Sequence, residues 1–363
     1  MRKLLLPLVV ILFAVLSLTT LRSIMPELVA KQTIAFGLGA ALFTVVAAIP
    51  WQWHLRFAPW LYLALNLSLL GLLVYGSVTR GISAWITLPF GFKFQPSQFA
   101  LPITAVYLAS FFRQETKFSW VLLWQALVIM AIPTLLILLE PDFGTALVLA
   151  AGLGMFLFFN RLSLSQILNL VAIAAVVVLL LWTVVFKEYQ RNRLLGFLHL
   201  HQTPSAASTS RESSSAYNAR QALIAVGSGQ VWGRGIGQGV QSHLRFLPER
   251  QTDFMFASFA EEWGLVGALF LLFLYAALLY FLWYALLLLP NFQEQLYVGS
   301  LLAMFLVQIF VNVGMNMAIV PITGITLPFM SYGGSSIIAL LYALGIVQSS
   351  IRRLNRQANR SFY

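Results

Sequence analysis

Ten stretches of this chain are apolar and close to the roughly 20 residues that a helix needs to cross a bilayer. They fall at 4–21, 32–50, 57–76, 96–112, 118–139, 143–160, 163–186, 254–288, 295–318 and 328–351. Inside a bilayer only helices and closed barrels satisfy their own backbone hydrogen bonds. The pattern therefore predicts an all-α polytopic membrane protein, a single integral membrane domain over residues 1–363 with about ten transmembrane helices.

Composition supports this class and excludes others. The chain is 60% hydrophobic and 9% charged, whereas a soluble domain is about 25% charged. It contains no Cys, which excludes thiol catalysis and disulfides. The net charge of +11 could suggest nucleic acid. We reject that partner because the basic residues lie mostly between apolar segments, where they orient membrane proteins.

The short loops predict the orientation. With the N-terminus in the cytoplasm, ten Lys and Arg residues fall on inner loops and tails and four on outer loops. Positive residues accumulate on the cytoplasmic side. We therefore expect a multi-pass protein of the plasma membrane with both termini in the cytoplasm.

One connection is much longer than the others. Residues 187–252 join spans seven and eight, which places this large loop outside the cytoplasm. It holds eight basic residues and three carboxylates, a net charge of +5. Long translocated loops ignore the positive-inside rule, which is one explanation. The other is an anionic substrate such as a lipid diphosphate, because Arg donates paired hydrogen bonds to phosphate.

Asp253 is one of two aspartates in the chain and precedes the eighth apolar stretch. One interpretation is a carboxylate that complements the start of a helix. The other is a general base at the mouth of a cavity, removing the proton from a hydroxyl nucleophile. Glu249 competes for this second role.

Three further patterns are weaker. The glycines between Gly227 and Gly239 do not match a nucleotide-binding fingerprint and predict tight turns. Asp142, in "EPDFGTA", is expected to cap the sixth span, and Pro321–Ser336 should interrupt the helical pattern beside a cavity. The four histidines lack metal-ligand spacing, so we assign no metal to them.

Four motifs together resemble one family. They are "FLPERQTDFMFASFAEEWGLVG", "EPDFGTAL", "FKFQPSQFA" and "IVPITGITLPFMSYGGSS". Their order, and the ten-span plan with a large loop after span seven, are similar to those of the SEDS proteins (shape, elongation, division and sporulation). The segment "GSGQVWGRGIGQGVQSHLRFLPER" looks more like the rod-shape elongation branch than the cell-division branch.

The resemblance implies a peptidoglycan glycosyltransferase that polymerises lipid II at the outer face of the bacterial plasma membrane. The essential aspartate of the family maps onto Asp253, the predicted catalytic base. A class B penicillin-binding protein is the implied partner, beside membrane lipids. No cofactor is assigned, and a requirement for a divalent cation is left undecided. Substrate is expected to contact Glu249, Arg250, Arg191, Arg193, Arg245, Gln98 and Ser331.

The chain departs from the family pattern at several positions. Gln98 and Leu101 stand where the family usually has Glu and Lys, and Glu140 replaces a Gln. Two alternative functions therefore stay open. A lipid II flippase is disfavoured because the spans hold almost no ionisable residues, which carriers use. A non-catalytic scaffold of the wall-synthesis complex is consistent with the lost charges at Gln98 and Leu101.

Overall fold

The computed structural model describes residues 2–75, 77–79, 82–87, 93–112, 120–159 and 214–360, with isolated positions between 165 and 197. Six helices precede the large loop: α1 (Arg2–Ile24), α2 (Val29–Ala48), α3 (Trp51–Tyr75), α4 (Ser97–Phe111), α5 (Trp120–Leu139) and α6 (Phe143–Phe159). The described part of the loop holds α7 (Ser214–Ser228) and α8 (Val240–His243). Three long helices follow: α9 (Met255–Leu288), α10 (Phe292–Asn316) and α11 (Gly334–Arg360).

The helices confirm the all-α polytopic class. Within the described ranges, seven are long and apolar enough to cross a membrane, namely α1, α2, α3, α5, α9, α10 and α11. The apolar helices α4 and α6 are shorter, at 15 and 17 residues. These nine helices overlap nine of the ten predicted spans. The seventh, 163–186, lies almost wholly outside the described residues.

A small sheet between α3 and α4 was not predicted. Strands β1 (Ser77–Thr79), β2 (Ile82–Thr87) and β3 (Lys93–Phe94) pair antiparallel in that order. In the β2–β3 ladder, Ile86 lies opposite Phe94 and Thr87 opposite Lys93. The strands are too short for a hydrophobic alternation to distinguish them from a loop.

The core of the bundle lies around α10 and α11. Two buried tyrosines on neighbouring helices donate to main-chain oxygens, Tyr275 to Pro328 at 2.7 Å and Tyr297 to Ala343 at 3.0 Å. Such bonds are needed in a bilayer because no water is present to satisfy the hydroxyl. Helices α2 and α11 approach closely, since a Cβ at Gly39 would lie 2.5 Å from the Leu341 side chain.

Contacts at the two ends of the bundle follow the alternation that the sequence predicts. At one end, Gln95 donates to Asp142 at 3.2 Å, and Ser335 donates to the Lys93 oxygen at 3.2 Å. At the other, Arg352 donates to the Ala47 oxygen at 3.2 Å. Segments assigned to one side of the membrane are thus in contact. Which side faces the cytoplasm stays a prediction.

Helix α9 is broken at Gly264, whose φ of 67° and ψ of −166° suit glycine alone. The glycine-rich segment replaces the helical hydrogen bonds lost there: Leu265 donates its amide to the Gln230 oxygen at 2.8 Å, and Val266 to the Val231 oxygen at 3.1 Å. Gly233, also at positive φ, allows the close approach. The predicted tight turns are confirmed, with a packing role that the sequence did not indicate.

Two carboxylates just before the break hold the same segment. Buried Glu261 accepts from the Gln241 amide at 2.8 Å and from both the amide and the hydroxyl of Ser242, at 3.0 and 2.7 Å. Glu262 accepts from the Gly237 amide at 3.2 Å and from the Ser23 hydroxyl. Glu261 and Glu262 therefore fix the glycine-rich segment to α9 and α1.

Candidate functional site

Asp253 lies in the turn that leads into α9, and its side chain is half-buried. Its main-chain oxygen accepts from the amides of Asn312 at 3.1 Å and Asn316 at 3.0 Å. These residues lie one turn apart on α10, so both face α9. The position of Asp253 is therefore fixed through its backbone by two buried amides.

Asn316 also supports the start of α9. The N-cap residue is Phe254, not Asp253, and the Asn316 side-chain oxygen accepts from the Ala257 amide in the first turn, at 3.0 Å. An amide from another helix thus takes the role that a capping Asp or Ser usually has. Neither asparagine was predicted to belong to the site. The available signal was a pair of amides four residues apart in an apolar helix.

Ser331 lies beneath the turn that carries Asp253. Its hydroxyl donates to the Thr252 oxygen at 2.6 Å and accepts from the Leu327 amide at 2.8 Å. The Tyr332 amide donates to the Gln251 oxygen at 2.8 Å. With 3% of its surface exposed, Ser331 braces the turn from the α10–α11 connection. It was predicted to contact substrate.

Glu249 and Arg250 begin the same turn. Glu249, at φ 51°, accepts through its carboxylate from the Thr252 hydroxyl at 3.1 Å. Arg250 is 7% exposed, and its guanidinium donates to the Ile24 oxygen at 3.4 Å. Burial lowers the pKa of Arg250, and the neighbouring Arg245 lowers it further. Arg245 itself is exposed, with φ 63°.

The structure brings Asp253, Glu249, Arg250 and Ser331 together at one end of the bundle, with Arg245 beside Arg250. Arg191 is half-buried at an isolated described position. Arg193 lies outside the described residues. The role predicted for these two arginines stays a prediction.

Gln98 lies on α4. It lines a narrow, mostly apolar cleft between α4, α10 and α11. Leu101, Gln308 and Ser336 line the same cleft, and the Gln308 amide donates to the Thr326 oxygen at 3.1 Å. The two departures from the family pattern, Gln98 and Leu101, therefore face one space. With Gln98 and Leu101 at these positions, the main polar groups of the cleft are the side-chain amides of Gln98 and Gln308.

Asp142 caps α6, as predicted. It accepts from the Thr145 amide at 3.0 Å and from the Thr145 hydroxyl at 2.8 Å. Burial raises its pKa, and the bonds from Thr145 oppose that rise. The neighbouring Glu140 has no exposed surface, and neither carboxylate oxygen has a hydrogen-bond partner among the described residues. Burial, and then the charge of Asp142, raise the pKa of Glu140 to about 8.

Metal ligands are not grouped in this region: among the described residues no three His or carboxylate side chains lie together as a metal site would require. The turn instead offers two half-buried carboxylates, Asp253 and Glu249, with Arg250 between them in sequence. That combination suits proton removal from a hydroxyl beside an anionic group.

Comparison with known proteins gives consistent results. The family model FTSW_RODA_SPOVE, described as cell cycle protein, matches residues 1–357. The chain is 37% identical over 319 residues to peptidoglycan glycosyltransferase MrdB of Escherichia coli K12, covering 86% of this chain and 82% of that protein.

Two solved structures have a fold similar to that of this chain. The first belongs to work on the structural coordination of polymerization and crosslinking by a peptidoglycan synthase complex. It has a TM-score of 0.78 and 31% identity and covers 96% of both chains. The second is the rod shape determining protein RodA of Thermus thermophilus, with a TM-score of 0.70 and 28% identity over 96% of this chain and 95% of that one.

Proposed function

This chain belongs to the FtsW/RodA/SpoVE family, and from that premise we propose that it polymerises lipid II with Asp253 as the general base. It is a multi-pass membrane protein and a peptidoglycan glycosyltransferase, the activity by which its relative MrdB is named. The reaction joins two lipid-linked sugars at the outer face of the plasma membrane, in cell-wall elongation and the maintenance of cell shape.

The observation that carries the proposal is the position of Asp253. Its backbone is held by Asn312 and Asn316 and its turn by Ser331, while its side chain stays half-exposed. A general base must keep its place while still reaching solvent or substrate. A purely structural carboxylate would not need the second property.

The step balances with one base. The acceptor sugar hydroxyl forms a bond to the anomeric carbon of the donor, and its proton passes to Asp253. The bond from that carbon to the diphosphate oxygen breaks, and the undecaprenyl diphosphate leaves with the electron pair. The anomeric configuration inverts because the nucleophile enters opposite the leaving group. The diphosphate needs no general acid, since it leaves as a stable anion.

Arginines on this side would neutralise the departing charge. Arg250 lies in the turn and Arg245 lies near Arg250, and Arg191 and Arg193 are further candidates from the sequence. Arg250 already donates to the end of α1, so we propose that it orients the turn as well as the phosphate. Arg245 is the more accessible of the two.

We further propose a class B penicillin-binding protein as the partner that crosslinks the glycan product. Support comes from the likeness to a chain from a synthase complex in which polymerization is coordinated with crosslinking. The cytoplasmic position of both termini rests on the loop charges alone. Whether a divalent cation also neutralises the diphosphate is left to the experiment below.

The test uses full-length protein in lipid with purified lipid II, with and without the partner, in magnesium and in EDTA. We expect Asp253→Asn to lower the polymerisation rate by roughly 10²–10⁴ while its thermal midpoint stays near wild type. Glu27→Gln removes an exposed carboxylate on the same side and is the matched control. Glycan strands made by Asp253→Asn at the wild-type rate would overturn the general-base proposal.

The same preparations separate the alternatives. A scaffold makes no strands even as wild type with its partner, and its Asp253→Asn variant supports growth. A flippase moves fluorescent lipid II across a liposome bilayer in an Asp253-independent manner. The neutral cleft at Gln98 favours neither alternative over the transferase.

A further inference from the structure

Three apolar side chains on the glycine-rich segment point away from the protein core. They are Val231, 50% exposed, Trp232, 81% exposed, and Ile236, 57% exposed. We call them the loop patch. Exposed apolar side chains that are grouped in this way mark a surface that interacts with a membrane, a protein or a ligand.

The depth of the loop patch follows from α9. The helix is 34 residues long and breaks at Gly264. Its straight portion, Leu265–Leu288, is about 36 Å long at 1.5 Å per residue, slightly more than the roughly 30 Å of a bilayer core. Leu265 therefore lies close to one boundary between hydrocarbon and headgroups.

Backbone hydrogen bonds place the loop patch at the same boundary. The Leu265 and Val266 amides donate to the Gln230 and Val231 oxygens at 2.8 and 3.1 Å. Leu265, Val266 and Leu269 are themselves 53, 46 and 56% exposed, as side chains that face lipid are. The loop patch thus continues the lipid-facing surface of α9 beyond its break.

The charge of the segment fits a headgroup layer. Arg234 lies between Trp232 and Ile236 and is exposed. Trp prefers the membrane interface, and a flanking Arg can reach lipid phosphates while its stem stays among apolar groups. Carboxylates of the adjoining helix do not compete for this space, because Glu261 and Glu262 are turned inward and accept from loop donors.

We propose that the loop patch inserts into the bilayer leaflet on its own side, the outer leaflet in the proposed orientation, with Arg234 at the phosphates. The occupant of this surface is therefore lipid and not a second protein. Because the same segment leads through α8 to the turn of Asp253, the insertion holds the rim of the site at headgroup depth. The proposal does not depend on the reaction that Asp253 performs.

The absence of native Cys allows a direct test. Trp232→Cys and Ile236→Cys each introduce one thiol, and Gln238→Cys, at an exposed polar position of the same segment, is the matched control. Each is labelled with bimane and reconstituted into nanodiscs of phosphatidylcholine and phosphatidylglycerol. Quenching is measured with 5-doxyl lipid and with aqueous iodide, and thermal midpoints confirm folding.

We expect the ratio of doxyl to iodide quenching to be at least threefold higher at 232 and 236 than at 238. Quenching dominated by iodide at all three positions would overturn the proposal, because the segment would then stand in water. Protection from both quenchers would also overturn it and point to burial against protein. The unlabelled variant Trp232→Phe provides a second readout. Part of the intrinsic tryptophan fluorescence of the wild type is quenched by brominated lipid. The fluorescence that is lost in Trp232→Phe should belong mostly to that quenched part.

Discussion

Two asparagines hold the backbone of the candidate base in place. Asn312 and Asn316 donate to the Asp253 backbone, and Asn316 also accepts from the first turn of α9. An amide has both a donor and an acceptor, so one side chain can satisfy a carbonyl and an amide hydrogen at once. A buried polar group that loses its partner costs about 1–3 kcal/mol.

The Asn316→Ala variant should therefore lose both stability and rate. We expect the thermal midpoint to fall and kcat to drop roughly tenfold to hundredfold, since small misplacements of a catalytic group are costly. KM should change little, because substrate contacts are not removed. Asn316→Asp keeps the acceptor for Ala257 and loses the donor, so it should recover stability more than rate. Equal recovery of both would contradict a positioning role.

Glu140 provides a pH prediction at the same scale. Its pKa is raised to about 8, so the folded state holds a proton that the unfolded state has released between its ordinary pKa and 8. Stability contributed by this group is present at low pH and lost as pH rises through that window, with a slope of up to about 1.4 kcal/mol per pH unit.

The matched variant is Glu140→Gln, which keeps the shape and removes the titration. We expect its thermal midpoint in detergent to exceed that of the wild type at pH 8 and to match it near pH 5. A wild-type midpoint that does not change from pH 5 to 8 relative to Glu140→Gln would show that Glu140 stays ionised and paired.

At the scale of elements, the broken start of α9 makes the site. A straight 34-residue helix would carry Asp253 far beyond the membrane boundary. The break at Gly264 leaves the Glu261 and Glu262 main-chain oxygens free to accept from the Arg234 and Gly235 amides of the glycine-rich loop, each at 3.0 Å. Glu261 and Glu262 then hold that loop through buried hydrogen bonds.

Gly264→Ala tests this arrangement. A Cβ there would lie 2.2 Å from the Gly233 amide nitrogen, and its φ of 67° is already unfavourable for alanine. We expect a marked fall in thermal midpoint and loss of polymerisation. The control is Gly71→Ala, on α3, where a Cβ meets nothing within 4 Å and alanine favours helix. A Gly264→Ala protein as stable as the control would show that the break is not needed.

At the scale of the whole molecule, the bundle sorts its polar groups to two ends. One end holds the Asp253 turn, Asp142 and the sheet, and the other holds Arg352 and the ion pair of Arg353 with Glu294 at 3.5 Å. The positive-inside rule assigns the second end to the cytoplasm. The structure shows the sorting, and the sidedness is a prediction from charge.

Cysteine labelling in intact cells tests that sidedness. Gln238→Cys should react with a membrane-impermeant maleimide from outside, whereas a cysteine added after Tyr363 should react only after permeabilisation. The chain has no other thiol to interfere. Labelling of the C-terminal cysteine in intact cells would invert the orientation and place Asp253 in the cytoplasm, away from the proposed substrate.

The sequence by itself determined the class of fold, the approximate bounds of nine helices in the described structure, and Asp253 as the candidate base. It could do so because a bilayer demands long apolar helices and because so few ionisable residues remain to choose from. The cap at Asp142 could also be predicted, because an aspartate just before a helix accepts from the amides of its first turn. Only the tertiary structure decided that Asn312 and Asn316 hold the Asp253 turn, that Ser331 braces it, and that the glycine-rich loop completes α9 at Gly264. Those interactions join residues distant in sequence, and their partners are chosen by packing, which no local pattern records.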